Sequence, residues 1–370
     1  MSIADVVIVG GGVIGMLTAR ELAANGSTVT LIDKGELASE ASWAGGGIVS
    51  PLYPWRYCDG VTALASWSQN SYIDLCQHLK DETGVDPELR QKGLLMLSVE
   101  DKQEALDWAH RYQRPLEEVA GDFVYQREPS LKKGIESALW MPKVCSVRNP
   151  RLGQSLKLSL DSCSKVSLRP FCPMLSLAFE GQTVVGVNTP SGVIPAGKVI
   201  LCAGAWSGEL AQQLNLDLPV QPVKGQMLLF RAVPGLLDRV VLDSGRYLIP
   251  RQDGRILVGS TLEFKGFSKQ TTEEAYQSLY QSALAIMPAL ADHPVEAQWA
   301  GLRPGSPSGI PYIGEIPEYR NLFVNAGHFR NGLVLAPASC RLAADLLLGR
   351  PTIIDPAPYS YEAPRLDRMH

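Results

Sequence analysis

The chain lacks the features that would tie it to a metal, a membrane or a nucleic acid. Its seven cysteines are an odd number, scattered and without a C-x-x-C pair. That argues against a disulfide framework and for a reducing, cytoplasmic setting. The five histidines show no H-x-x-x-H or H-E-x-x-H spacing, so no metal site is expected. The net charge is −4 and no basic run occurs, which leaves no electrostatic footprint for nucleic acid or an anionic membrane. No apolar run approaches the roughly 18–20 residues of a spanning helix. The apolar start VVIVGGGVIGML follows Asp5 rather than a basic leader and is broken by Gly10, Gly11, Gly12 and Gly15, so it does not read as a signal peptide.

What is present suits a large mixed fold. The 370 residues are 45% hydrophobic and 19% charged, enough for two domains or one large α/β unit. Residues 5–9 read as a buried strand, 13–25 as a helix ended by Gly26, and 27–33 as a second strand. Residues 42–56 look like an ordered glycine- and aromatic-rich loop. Helical patterns follow at 60–83, 100–113 and 151–165. Strands are expected over 174–205, around the turn at 189–192, and over 217–263. There RYLIP (246–250) and RILVGST (255–261) flank a QDG turn as a hairpin. A helix at 272–286, a strand at 295–303, a strand at 322–327 and a helix at 332–348 complete the pattern. Nucleotide-type strands at the start, middle and end suggest one discontinuous nucleotide-binding domain with a second domain inserted.

Four segments carry chemistry. Gly10, Gly12 and Gly15 form G-x-G-x-x-G between a strand and a helix, and Asp33 ends the next strand 18 residues after Gly15. The glycines allow a tight turn, close approach to a pyrophosphate and close helix–strand packing, and the acid can accept from a ribose hydroxyl. The motif by itself serves NAD or FAD. SWAGGGIVSP (42–51) could be a floppy linker, but its flanking Trp43, Ile48, Val49 and Pro51 argue for a packed segment. Gly45–Gly47 would lay bare backbone against a flat ring, which suits a resident flavin better than an exchanging nicotinamide. NAGHFRNGLVLAP (325–337) places Gly327 and Gly332 around a loop that opens a helix, whose amides could face negative charge on a reduced flavin. Finally, Tyr247 and Arg303 lie on half-apolar strand faces. An unpaired buried arginine needs an anion, and its fork suits a carboxylate. A structural partner such as Glu263, Glu296 or Glu315 is the competing explanation, and Arg330 carries the same ambiguity.

These segments, with YLIPRQDGRILVGSTLE and WAGLRPGSPSGIPYIG, resemble the glycine oxidase branch of the D-amino-acid-oxidase-like flavoproteins over about 1–350. The resemblance implies a Rossmann-like FAD-binding domain, 1–85, 145–215 and 320–365, and a mainly antiparallel substrate-binding domain, 86–144 and 216–319. The fold class is thus α/β with α+β. It implies non-covalent FAD, since no cysteine occurs between Cys202 and Cys340 where some relatives link their flavin. It also implies oxidation of glycine, sarcosine or small D-amino acids by hydride transfer to flavin N5, with oxygen as acceptor, a link to thiamine biosynthesis, and a homotetramer.

Under the resemblance, Arg303 and Tyr247 hold the substrate carboxylate, and the main-chain carbonyl at Arg330 takes a hydrogen bond from its amine. The residues expected to contact FAD are Gly10, Gly12, Val13, Ile14, Gly15, Asp33, Lys34, Ser42, Ala44, Gly45, Gly46, Gly47, Ile48, Ala203, Gly204, Trp206, Gly327, His328, Arg330, Asn331, Gly332 and Leu333. Tyr53, Trp55, Met227 and Leu262 are candidates for setting pocket size. Ser308 departs from the Asp that relatives often carry in this turn, and a serine suits a turn. A dehydrogenase with another electron acceptor, or a module with a structural flavin, are the competing functions.

Overall fold

The computed structural model describes residues 3–365. The first strand, Ala4–Val9, is buried at five of its six positions and leads through the glycine turn into the helix Val13–Ala24. It lies between Val29–Ile32 and Gly192–Leu201, parallel to both. Val166–Arg169 extends the parallel sheet beyond Val29–Ile32, and Leu322–Ala326 extends it beyond Gly192–Leu201. The winding therefore reverses between the first strand and Gly192–Leu201. Ligands of open α/β sheets bind in the crevice at such a switch point, beyond the carboxyl ends of the strands. Antiparallel additions complete this eight-stranded sheet: Thr183–Thr189 pairs with Gly192–Leu201 and with Ser176–Glu180, and Tyr312–Glu315 pairs with Leu322–Ala326.

The helices Val13–Ala24, Asp59–Thr83, Asn149–Asp161 and Gly332–Leu347 pack on one another beside this sheet. Their shared core contains Ile8, Met16, Leu22, Leu31, Leu64, Tyr72, Leu79 and Leu335, all inaccessible to solvent. Asp59–Thr83 stops at Gly84, whose left-handed conformation caps it.

A second eight-stranded sheet runs Val295–Gly305, Gln221–Arg231, Arg255–Gly259, Arg246–Pro250, Val240–Asp243, Leu94–Leu97, Ser137–Met141, Glu117–Ala120. Val240–Asp243 and Leu94–Leu97 run parallel, and the other neighbours are antiparallel. Alternation splits its side chains. Leu228, Phe230, Leu248, Ile256 and Val258 bury themselves with Leu279, Ala283 and Ile286 of the helix Glu273–Ile286. Met227, Tyr247, Ile249 and Leu257 form a second cluster on the other face, packed against Ile48, Leu52 and Trp299.

The structure refines several expectations. The 42–56 segment is no single loop: it holds the short helix Ala41–Ala44, the strand Ile48–Val49 and a helical turn, Pro54–Arg56. The helix expected at 151–165 begins at Asn149, where Pro150 sits in its first turn, and ends at Asp161. The Arg303 strand continues to Gly305. Leu94–Leu97, Glu117–Ala120 and Ser137–Met141 are strands that the pattern did not announce. All four residues of Leu94–Leu97 are buried, so no alternation marks that strand. Among the described residues, no helix is long and apolar enough to cross a membrane, and all seven cysteines are free.

Gly15 is the tightest point of the first unit. A methyl group there would overlap the Gly10 carbonyl oxygen, so the turn and the helix can close only on a bare Cα. Gly15→Ala should cost about 1–3 kcal/mol through overpacking. Urea unfolding of the two proteins measures it, and an unchanged midpoint would contradict this role.

Candidate active site

At the carboxyl end of the first strand, the turn is fixed by hydrogen bonds to side chains. Gly11 N–H donates to Asp33 Oδ2 (2.7 Å) and Gly35 N–H to Asp33 Oδ1 (2.8 Å). Val13 N–H, at the helix N-terminus, donates to Ser42 Oγ (2.8 Å). One cavity here is lined by Gly10, Gly12, Asp33, Lys34, Ser42, Ala203, Gly204 and Trp206. The Lys34 ammonium sits 3.6 Å from the centre of the Trp206 ring, and burial draws its pKa below the ordinary lysine value.

A second cavity shares Gly12, Ala41, Ser42, Cys202, Gly204 and Leu302 with the first and opens from it. Gly45, Gly46 and Gly47 form part of its wall. This segment is pinned from three sides. Arg251, itself buried, donates to Gly46 O (2.9 Å) and Val147 O (2.8 Å). Trp299 Nε1 donates to Ala44 O (3.0 Å), and Asn149 Nδ2 donates to Ser42 O (3.0 Å). A side chain at Gly47, whose φ is +86°, would overlap the Val147 carbonyl. The triple glycine is thus a packed wall rather than a linker.

Opposite this wall, Arg303 projects from Val295–Gly305. Its Nη2 donates to Ser260 Oγ (2.6 Å) and its Nη1 to Thr261 O (3.2 Å). Among the described residues no carboxylate pairs with it. Glu263 pairs with Lys224 at 3.1 Å and Glu296 with Arg255 at 2.8 Å. Burial lowers the Arg303 pKa, partly offset by Tyr247, with Arg330 lowering it further. The buried Tyr247 hydroxyl lies 3.4 Å from Met227 Sδ. No aspartate, glutamate or lysine lines this cavity among the described residues.

The last strand and helix close the site. His328, Arg330, Asn331, Gly332 and Leu333 line the cavity. His328 is buried. Its Nε2 lies 2.7 Å from Ser339 Oγ, which donates to Asn325 Oδ1 (2.6 Å). Burial pushes the imidazole pKa down to about 3. Asn331 Nδ2 and Asn149 Oδ1 are buried polar atoms with no hydrogen-bond partner, and both residues line the cavity.

Of the residues expected to hold the substrate or contact the cofactor, the structure gathers all but two along the joined cavities. Gly15 packs beneath the turn, and Gly327 lies behind the wall, its carbonyl accepting from Ser306 Oγ. Of the four candidates for pocket size, Met227 lines the cavity. The other three, contrary to expectation, do not. Tyr53 stacks edge-on against Trp55 and accepts from Gly245 N–H, Trp55 donates to Asp101, and Leu262 is 45% exposed. Residues not anticipated include Ser50, Leu52, Tyr57, Asn149, Gly225, Ser260 and Asn325. Arg251 was missed as well. A second charged residue close to the hairpin turn was its only sequence signal.

Residues 5–346 match the family model for FAD dependent oxidoreductases. The chain belongs to that family. It is 56% identical to a glycine oxidase of Pseudomonas aeruginosa, over 96% of this chain and 98% of that protein. It is 34% identical to the bifunctional protein ThiO/ThiG of Nostoc sp., over 93% of this chain and 52% of that protein. The crystal structure of glycine oxidase from Geobacillus kaustophilus superposes with a TM-score of 0.91 at 30% identity, covering 97% of this chain and 98% of that one.

The cavities fit the family's cofactor. An acid stands at one end, a helix N-terminus in the middle, and bare glycine backbone with two orphaned amide groups at the other. In this family member the depressed His328 pKa has a consequence for stability. The unfolded chain takes up a proton near pH 6.5, the folded one only near 3. The contribution is therefore fully present above pH 6.5 and is lost as pH falls toward 3, by up to about 1.4 kcal/mol per unit for one proton. His328→Gln should flatten this part of the stability profile. Urea unfolding of both holoproteins between pH 4 and 7 measures it, and identical slopes would contradict the assignment.

Proposed function

We propose that this protein binds FAD non-covalently and oxidises glycine, sarcosine or small D-amino acids, using molecular oxygen. For glycine, oxygen and water give glyoxylate, ammonia and hydrogen peroxide. The observation that carries this reading is Arg303, a half-buried guanidinium without a carboxylate partner among the described residues, facing a cavity beside Tyr247. Its remaining donors suit the substrate carboxylate, and the Tyr247 hydroxyl would share that load. The main-chain carbonyl at Arg330 would accept from the amine. Asp33 would hold the ribose, the amides at Gly12 and Val13 the pyrophosphate, and Gly45–Ile48 the flavin ring.

FAD supplies the acceptor for the hydride that leaves the α-carbon. The chain's own task is to orient and to desolvate. With no carboxylate or lysine in the cavity wall, the substrate amine arrives already deprotonated, so kcat/KM rises with pH. We read 1–85, 145–215 and 320–365 as the FAD-binding domain and the remainder of 1–365 as the substrate-binding domain. We propose further a cytoplasmic homo-oligomer with a link to thiamine biosynthesis, that link alone drawing on the likeness to the bifunctional protein ThiO/ThiG.

Arg303→Ala removes a charged hydrogen-bonding partner worth about 1.5–3 kcal/mol and should raise KM for glycine roughly 10–100-fold. Tyr247→Phe should cost roughly 2–10-fold. Peroxide release with glycine, sarcosine and D-alanine reports the reaction, and FAD content should not change. Unaltered KM in Arg303→Ala would refute the anchor. Turnover only with an artificial electron acceptor would make the protein a dehydrogenase.

A further inference from the structure

The site side of the second sheet holds three glycines where three strands meet. Gly225 and Gly301 are register partners, and Gly259 pairs with both Met227 and Tyr247. Alternation puts Val223, Gly225 and Met227 on the same face as Trp299, Gly301 and Arg303. Each glycine has one or two side chains seated over it. A methyl on Gly225 would overlap both terminal nitrogens of Arg303 and lie 2.5 Å from its Cζ. On Gly259 it would lie 2.5 Å from Met227 Sδ and 2.6 Å from Tyr247 Cε2 and Oη. On Gly301 it would lie 2.5 Å from Ala44 Cβ. None of the three has a positive φ, so the turn-forming freedom of glycine does not explain them. What they supply is depth.

We propose that Gly225, Gly259 and Gly301 form a floor that sets the height of the site's working groups, and that they are positioning residues for the reaction. The proposal rests on the reading of Arg303 and Tyr247 as the carboxylate anchors. Arg303 leaves its strand beside Val223, crosses diagonally to Gly225, and lies flat on that bare backbone. There its fork reaches Ser260 Oγ and Thr261 O on one side. The other edge is left for a ligand. Tyr247 lies over Gly259 in the same way, alongside Met227. Gly301 lets Ala44, at the start of the glycine wall, approach the sheet, and Trp299 Nε1 ties its carbonyl there. The floor thus sets the substrate side through Gly225 and Gly259 and the cofactor side through Gly301.

This division gives different phenotypes to chemically identical substitutions. The three nearest atoms to a Gly225 methyl all belong to the flexible end of Arg303, so Gly225→Ala moves the guanidinium and spares the fold. Acetate serves as an inert carboxylate probe, titrated by its perturbation of the flavin spectrum of the holoenzyme. Gly225→Ala should raise both the acetate Kd and the glycine KM roughly 10–100-fold, while kcat falls less and FAD affinity and melting temperature hold. Gly301→Ala should instead weaken FAD retention, measured by cofactor release on dilution, and leave acetate affinity at saturating FAD near the parent value. The double variant Gly225→Ala/Arg303→Ala should bind acetate no more weakly than Arg303→Ala, because both act on one group. If Gly225→Ala binds acetate normally while Arg303→Ala does not, the floor is refuted and the anchor stands. If Arg303→Ala also binds acetate normally, the anchor itself fails. Loss of fold in Gly225→Ala, or a shared phenotype of Gly225→Ala and Gly301→Ala, would make the glycines merely structural and overturn the proposal.

Discussion

A half-buried cation that faces the cavity without a counter-ion is the constraint on which the site is built. Leaving a charge unpaired costs several kcal/mol, and a fold tolerates that only where the group is useful and partly satisfied. A guanidinium is the cheapest cation to treat this way, because it is weakly hydrated and presents many donors. Ser260 and Thr261 meet part of the Arg303 fork. The nearby acids are kept occupied. Glu263 accepts from Thr261 Oγ1 and Gln226 Nε2 and pairs with Lys224. Lys224 is itself buried on the neighbouring strand. Two cations one strand apart are thus treated oppositely: the buried Lys224 is neutralised within the protein, and the half-buried Arg303 faces the cavity with no carboxylate partner among the described residues.

The same contrast recurs between Arg303 and Arg251. Arg251 spends its donors on two carbonyls, those of Gly46 and Val147, and its pKa is drawn down to about 10 by burial. It performs no visible chemistry. It fixes the glycine wall against the strand pair beneath, where unpaired buried carbonyls would cost about 1–3 kcal/mol each. The wall must be rigid because it carries few side chains of its own. Glycine loses more entropy on ordering than any other residue, and the bonds from Arg251, Trp299 and Asn149 offset that cost.

Legibility in the sequence followed the range of the interaction. The turn at Gly10–Gly15 and the acid at Asp33 were readable because strand, helix and carboxylate lie within one local unit. The anion-seeking character of Arg303 was readable from its place on an apolar strand face. Its lack of an internal partner was not, since that depends on where Glu263 and Glu296 find their own cations. Gly225, Ser260 and Asn149 were invisible for a related reason. They meet Arg303 or the glycine wall only through pairings between segments far apart in the chain. Tyr53, Trp55 and Leu262 differ from the expectation in the converse way: the resemblance suggests them for the pocket, but hydrogen bonds or exposure hold them away from it. Most of the residues that the resemblance assigns to the cofactor line the joined cavities, because they lie on the local motifs.

The two faces of the second sheet carry unlike duties, and this explains how the site can be so sparsely furnished. A face with glycines at three adjoining positions buries little apolar area there, and each missing methyl or larger group forgoes contacts that would stabilise a sheet. That deficit must be met elsewhere in the same strands. Leu228, Phe230, Leu248, Ile256 and Val258 meet it on the opposite face, where they pack against Glu273–Ile286 and are at most 1% exposed. Strand alternation keeps the two duties separate. A residue can be removed from the site face without opening the helix-packed core, and the core can be dense without filling the cavity. A helix surface, whose neighbouring positions share one curved face, offers no such clean partition. An amine-oxidising site that needs a flat ring, an arginine facing the cavity and room for a small substrate is therefore well served by lying against a sheet.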